Sequence, residues 1–171
     1  LSDNYWQTLA MFHLVVGDTA RARTLLAGHT EDTSEQEREA IRIFQTAAAG
    51  DCASADAMTK AATAAKKIEL SAEDHIYYVL GRCQLESGAY EAAIASLRRI
   101  VERPLYYGDS APMIPVAWFY LGEAYERKGD VSRASDAYQR VLEIWKDGDA
   151  DLFCRREARI RLDRLAGSRS M

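Results

Sequence analysis

Trp118, Leu121, Gly122 and Tyr125, followed by Gly129-Asp130, Ala134 and Tyr138, constrain the fold of this chain more than any other feature. The first four recur at helical spacing and fall on one face of a helix. Gly122 lacks a side chain, so a second helix can approach closely there. Gly129 suits the left-handed conformation that ends a helix. Ala134 keeps the second helix near the first, and Tyr138 fills the gap one turn later. The pattern describes two antiparallel helices packed face to face and joined by a tight turn.

The same pattern overlays other parts of the chain. Tyr77, Leu80, Gly81 and Gln84 stand where Trp118 to Tyr125 stand, with Gly88, Ala93 and Leu97 at the same offsets. Trp6, Leu9, Ala10, Gly17-Asp18, Ala22 and Leu26 repeat it near the start, and a weaker copy from about Gln36 carries Ile43, Gly50-Asp51 and Ala55. The turn glycines Gly17, Gly50, Gly88 and Gly129 are separated by 33, 38 and 41 residues, so the later copies carry insertions.

Capping signals agree with this division. Ser34-x-x-Glu37 is a capping box, Ser71-x-x-Asp74 a weaker N-cap, and Pro115 suits a first helical turn. The spacing predicts helices over 4–15, 19–27, 36–49, 52–69, 73–87, 90–102, 114–128, 131–146 and 152–166. In the last of these, Cys154, Ala158, Leu162 and Leu165 share one face, as a helix covering the end of a repeat stack requires. The longest predicted loop, Pro104 to Pro112, contains Tyr106 and Tyr107, which either carry function or fold back over helix ends.

Bulk properties exclude several classes. The chain has 171 residues and a formal net charge of −4, which gives no broad attraction to nucleic acid or to an anionic membrane. No stretch is long and apolar enough to span a bilayer. Cys52, Cys83 and Cys154 are odd in number and far apart, so the expectation is small buried hydrophobes in a reducing compartment, with a cytoplasmic location. Leu1-Ser2-Asp3-Asn4 lacks the basic start of a signal peptide. The absence of Met at position 1 points to a piece of a longer protein whose N-terminus and any targeting signal are missing.

These residues resemble the tetratricopeptide repeat, in which W-x-x-L-G-x-x-Y precedes a Gly-Asp turn, an alanine and an aromatic. The resemblance covers nearly the whole chain as one domain, with repeats about 3–29, 36–69, 74–104 and 115–148 and a capping helix about 152–166. It implies an all-α, right-handed superhelical solenoid of about four helical hairpins. The run from Trp118 to Trp145-Lys146-Asp147, then Asp149, Asp151-Leu152 and a basic helix, also looks like the C-terminal end of certain large bacterial signalling proteins. In those, repeats follow a protein kinase or transcription-regulator domain, although no kinase motif is present in this chain.

The family implies a non-catalytic scaffold whose first helices line a concave face for a protein or peptide partner. Residues expected toward that groove include Met11, Phe44, Tyr78, Arg82, Leu85, Phe119, Glu123 and Glu126, with Tyr78, Arg82, Phe119 and Glu123 the leading candidates beside the loop residues Tyr106 and Tyr107. Packing against the neighbouring repeat is the alternative for most of them. The Lys/Asn/Arg clamp of chaperone-tail receptors is not reproduced: its positions hold Gln7, Met11, Ala40, Phe44, Tyr78, Arg82, Phe119 and Glu123, of which only Arg82 is basic. Self-association and a small-ligand sensor role are the other readings. An apolar patch around Trp6 and Leu9 would favour the first, and a pocket beside Tyr106 and Tyr107 the second.

No catalytic, cofactor or metal site is expected. Asp147, Asp149 and Asp151 open like a calcium loop, but Leu152 replaces the required glycine and Ala158 the twelfth-position glutamate. His13, His29 and His75 lack ligands at metal spacing. Arg155, Arg156, Arg159, Arg161 and Arg164, interspersed with Glu157 and Asp163, read as a solvated face with local ion pairs.

Overall fold

The computed structural model describes residues 9–10, 13, 18–28, 34–68, 70–102 and 113–168. Eight α-helices lie among them: α1 (Thr19–Ala27), α2 (Glu35–Ala48), α3 (Cys52–Ala64), α4 (Leu70–Glu86), α5 (Tyr90–Val101), α6 (Met113–Lys128), α7 (Val131–Ile144) and α8 (Phe153–Ser168). The described residues contain no strand, so the chain is all-α as the periodicity requires. The predicted first helix is described only at residues 9, 10 and 13, all helical; the loop carrying Tyr106 and Tyr107 lies outside the described residues.

The chain divides into two compact units, residues 1–83 and 84–171, with the boundary inside α4. In the first, α1 packs on α2 and α2 on α3; in the second, α5 packs on α6, α6 on α7, and α8 on both α6 and α7.

A two-residue device makes the turns. Gly129 takes φ +86°, its N–H reaches the Glu126 carbonyl at 3.0 Å, and the next N–H, of Asp130, reaches the Tyr125 carbonyl at 2.8 Å. These bonds satisfy carbonyls that the helix end leaves open. The Asp130 side chain then accepts from the Arg133 N–H at 3.1 Å and starts the next helix. Gly50-Asp51 repeats the arrangement, with Asp51 accepting from the Ser54 N–H at 3.1 Å. Gly88 has the same backbone, but Ala89 follows it and supplies no side-chain cap. Ser34 forms the expected capping box: its Oγ accepts from the Glu37 N–H at 3.2 Å, and its own N–H donates to the Glu37 carboxylate at 2.7 Å.

The core follows the repeat positions. Ala22, Ala55, Ala93 and Ala134, one turn into the second helix of each hairpin, are all 0% exposed. Gly122 shows why its position excludes a side chain: a Cβ there would lie 2.6 Å from the Tyr138 ring.

Three expectations need correction. Helix α3 ends at Ala64 rather than at residue 69, because Lys66 adopts φ +54° and the Lys67 N–H bonds back to the Ala62 carbonyl at 2.8 Å, turning Ile68 into the core. Helix propensity alone favoured continuation through Lys66-Lys67; burial of Ile68 outweighs it. Ser71 is not an N-cap, since α4 begins at Leu70. Cys52 and Cys83, expected as reduced thiols, form a disulfide between α3 and α4, with Cα atoms 5.6 Å apart. Their separation of 31 residues resembles no local motif; the packing of the first unit joins them. Cys154 stands outside the disulfide and is buried, as expected.

Candidate partner-binding face

The four leading groove residues sit in two places, one in each unit. In the first unit, Tyr78 and Arg82 lie one turn apart on α4, and an Arg82 guanidinium N–H donates to the Tyr78 hydroxyl at 3.4 Å. Tyr78 is 1% exposed, whereas Arg82 is half-buried and retains surface.

In the second unit, Phe119 and Glu123 lie one turn apart on α6, and α8 packs over them. The Phe119 ring is 5.9 Å from Tyr138 of α7 and 5.8 Å from Phe153 of α8, and the Arg161 guanidinium stands 5.6 Å from its centre. This aromatic and cation–π clustering leaves Phe119 1% exposed. Glu123 is 7% exposed; its carboxylate accepts from Arg127 at 2.6 Å and pairs with Arg161 at 3.6 Å.

One turn on, Glu126 is the hub of this unit. It accepts from the Tyr138 hydroxyl at 2.7 Å and from Arg161 at 3.0 Å, and it also pairs with Arg164. Burial alone would raise the Glu126 carboxyl; the hydrogen bonds from Tyr138 and Arg161, with the charges of Arg161 and Arg164, overcome it and hold the group below its ordinary value. The same burial, together with the Glu126 carboxylate, pushes the Tyr138 hydroxyl up. Two of the five arginines of α8 are thereby committed to fastening it to α6.

Tyr78, Phe119 and Glu123 thus have almost no surface for a partner in this arrangement, and Arg82 is the groove candidate that keeps some. Tyr106 and Tyr107 fall outside the described residues, as do Met11 and Trp6. Asp149 uses its carboxylate to accept the Asp151 N–H at 3.0 Å, shaping the turn before α8. Among the described residues, no group of three His, Cys, Asp or Glu side chains is placed to hold a metal ion, and no helix is long and apolar enough to cross a membrane.

Two family models match the sequence, both of the tetratricopeptide repeat, over residues 25–107 and 115–144. The chain belongs to the tetratricopeptide repeat family. That repeat is non-catalytic and generally mediates protein–protein interaction. No curated protein and no solved structure matches the chain.

In this tetratricopeptide repeat protein, residue-type reasoning missed two features. The Glu126–Arg161–Arg164–Tyr138 network joins residues up to 38 positions apart. Only the excess of arginine in α8 and the spacing of Glu123 and Glu126 on α6 signalled it. Phe153, which touches the Phe119 ring, and Ile160 both keep more than half of their surface exposed on α8, and only the packing shows it.

Proposed function

We propose that this chain is a non-catalytic scaffold that holds a protein or peptide partner, serving as the docking or sensory part of a larger bacterial regulatory protein. The observation that carries this reading is the family match over most of the chain. The repeat-defining side chains form packing, as Gly122 against Tyr138 illustrates. Partner recognition therefore falls to side chains between them. Arg82, on a first helix and half-exposed, is the leading one, and the buried Tyr78 and Phe119 position the helices that present the face.

The Cys52–Cys83 disulfide bears on where this happens. A cytoplasmic location was the expectation from unpaired cysteines, but cytosolic thiol buffers keep most disulfides reduced. An oxidising compartment fits the crosslink better.

Affinity capture from the source organism tests the scaffold reading, followed by calorimetry with the purified partner. Arg82→Glu, which changes a half-buried side chain bonded to the Tyr78 hydroxyl, is expected to weaken binding by about tenfold or more while circular dichroism shows the helices retained. Unchanged affinity would remove Arg82 from the face. Failure to recover any saturable partner would overturn the scaffold reading itself.

A further inference from the structure

Helices α3 and α4 are joined at both ends. The chain between Ala64 and Leu70 connects them at one end, and the Cys52–Cys83 disulfide closes the other. Cys52 is the first residue of α3 and Cys83 stands in the last turn of α4, so the crosslink ties the start of one helix to the end of the next. The chain connection turns at Lys66, the non-glycine residue with positive φ among the described residues. That left-handed conformation disfavours a side chain, which marks Lys66 as the hinge of the pair.

The two sulfurs differ in access. Cys83 is buried at 6% exposure, whereas Cys52 is only half-buried, and Gly50, Asp51, Ala53 and Ser54 around it are exposed. Thiol–disulfide exchange proceeds by attack of an outside thiolate on one sulfur, so access directs it to Cys52. Cys83 directly follows Arg82, whose guanidinium bonds the Tyr78 hydroxyl, so the crosslink holds the turn of α4 that presents Arg82. The α2–α3 hairpin has its own fastenings: the Ser34 capping box, the Asp51 cap and the buried Ile43 and Thr59. Opening the crosslink therefore leaves that hairpin paired.

We infer that the Cys52–Cys83 disulfide is a reducible latch on the partner face, opened by a dithiol protein of the C-x-x-C class and closed by the oxidised form of such a protein. The inference rests on the scaffold reading and adds redox control of the Arg82 site to it. A thiolate of the reductant attacks Cys52 Sγ. The Cys52–Cys83 bond breaks, a mixed disulfide forms on Cys52, and Cys83 leaves with the electron pair and takes a proton. The second thiolate of the reductant then attacks its own sulfur in the mixed disulfide, and Cys52 leaves and takes a proton. The chain gains two electrons and two protons, which the dithiol loses as it becomes a disulfide. With the latch open, α4 is covalently joined to α3 only through the turn at Lys66, and its last turn, with Arg82, moves about that hinge. In an oxidising compartment the closed latch is the resting state, so opening it takes a dedicated dithiol donor.

The test uses the full oxidised chain with dithiothreitol as the dithiol probe. Mass tagging with a maleimide should show the disulfide opening without denaturant. Oxidised glutathione should load Cys52 in the Cys83→Ala variant and leave Cys83 nearly unmodified in the Cys52→Ala variant. Phenylglyoxal labelling of Arg82, read by peptide mass spectrometry, should speed up about threefold or more on reduction, with the helices retained by circular dichroism. Labelling of Arg140 in the second unit should not change, and the Cys52→Ala/Cys83→Ala variant should label Arg82 at the reduced rate with or without dithiothreitol. A disulfide that opens only in denaturant, equal labelling of Arg82 in both forms, or loss of helix on reduction overturns the inference. Calorimetry with the captured partner should give affinities about tenfold apart for the oxidised and reduced chains, and the bound partner should shift the point of half-reduction by the same factor. Equal affinities mean that the latch fails and the scaffold reading stands. Capture of no partner by either form sinks the scaffold reading, and the latch then has no face to control.

Discussion

The two units solve one packing problem with different residues. In the α6–α7 hairpin, Gly122 gives up its side chain and Tyr138 fills the space. At the matching positions of the α2–α3 hairpin stand Ile43 and Thr59, each 1% exposed. The large residue has moved from the second helix to the first, and the total volume is roughly kept. Thr59 is polar, and its hydroxyl donates to the Ala55 carbonyl at 2.7 Å, so its burial leaves no lost hydrogen bond. The exchange removes the glycine and aromatic that mark a repeat in sequence, while the interior they serve persists. The first unit also carries the Cys52–Cys83 crosslink, and the second holds its last helix with aromatic contacts and ion pairs instead. A hairpin far from the repeat pattern is covalently braced, and one close to it relies on fitted side chains.

That contrast can be broken most severely in the second unit. Phe119→Ala removes the ring that Tyr138, Phe153 and Arg161 surround, and is expected to cost about 3–5 kcal/mol. Urea denaturation of the variant should show it, with amide exchange accelerating in α6 to α8 and little change in α2 and α3. Protection lost equally in both units would mean that the division does not describe their stability.

Cys52→Ala with Cys83→Ala should be nearly as large in the other unit. Releasing a loop of 31 residues costs about 3–4 kcal/mol through the entropy regained by the unfolded chain. Exchange should accelerate in α2 to α4 and spare α6 to α8, and reduction of the parent chain should reproduce the effect.

Gly122→Ala sets a methyl against the Tyr138 ring and should cost about 1–3 kcal/mol by overpacking. Thr59→Tyr should cost a similar amount, and adding Ile43→Gly should recover part of it. Strictly additive melts for that pair would show that the two positions do not share one space.

A smaller change sharpens the comparison in the stabilising direction. Ala89 has φ −81° and ψ 63°, close to the values at Asp51 and Asp130, yet it offers no capping oxygen. Ala89→Asp should raise stability by about 1 kcal/mol, read as a higher denaturation midpoint.

The smallest effect is electrostatic. The Glu126 carboxyl is held below its ordinary value of 4.5 in the folded chain. Its contribution is therefore present above that value and is lost as pH falls through the lower folded value. Glu126→Gln should flatten the acid limb of the stability profile. An unchanged limb would mean that Arg161 and Arg164 do not bias its protonation.

Much of the architecture was legible because the repeat writes its geometry in small residues. Gly50, Gly88 and Gly129 announce turns because a side chain is strained at positive φ, and all three adopt it. Helix ends were readable where a cap is a residue type, as at Ser34 and Asp130. They were misread at Lys66, where a lysine took the conformation usually left to glycine. The candidate face was harder to read. A pattern places Tyr78, Phe119 and Glu123 on first helices, but their exposure depends on what packs over them. For Phe119 and Glu123 that includes α8, whose Arg161 and Phe153 come from more than thirty positions away.

The sequence by itself determined the helical hairpins, their turns and the family, because each follows from spacing within a few residues. Tertiary structure decided which cysteines are joined, which aromatics are covered and which arginines of α8 are committed to Glu123 and Glu126. Those outcomes depend on distances between residues remote in the chain. Helical periodicity gives each side chain a direction, and only packing decides what it meets there.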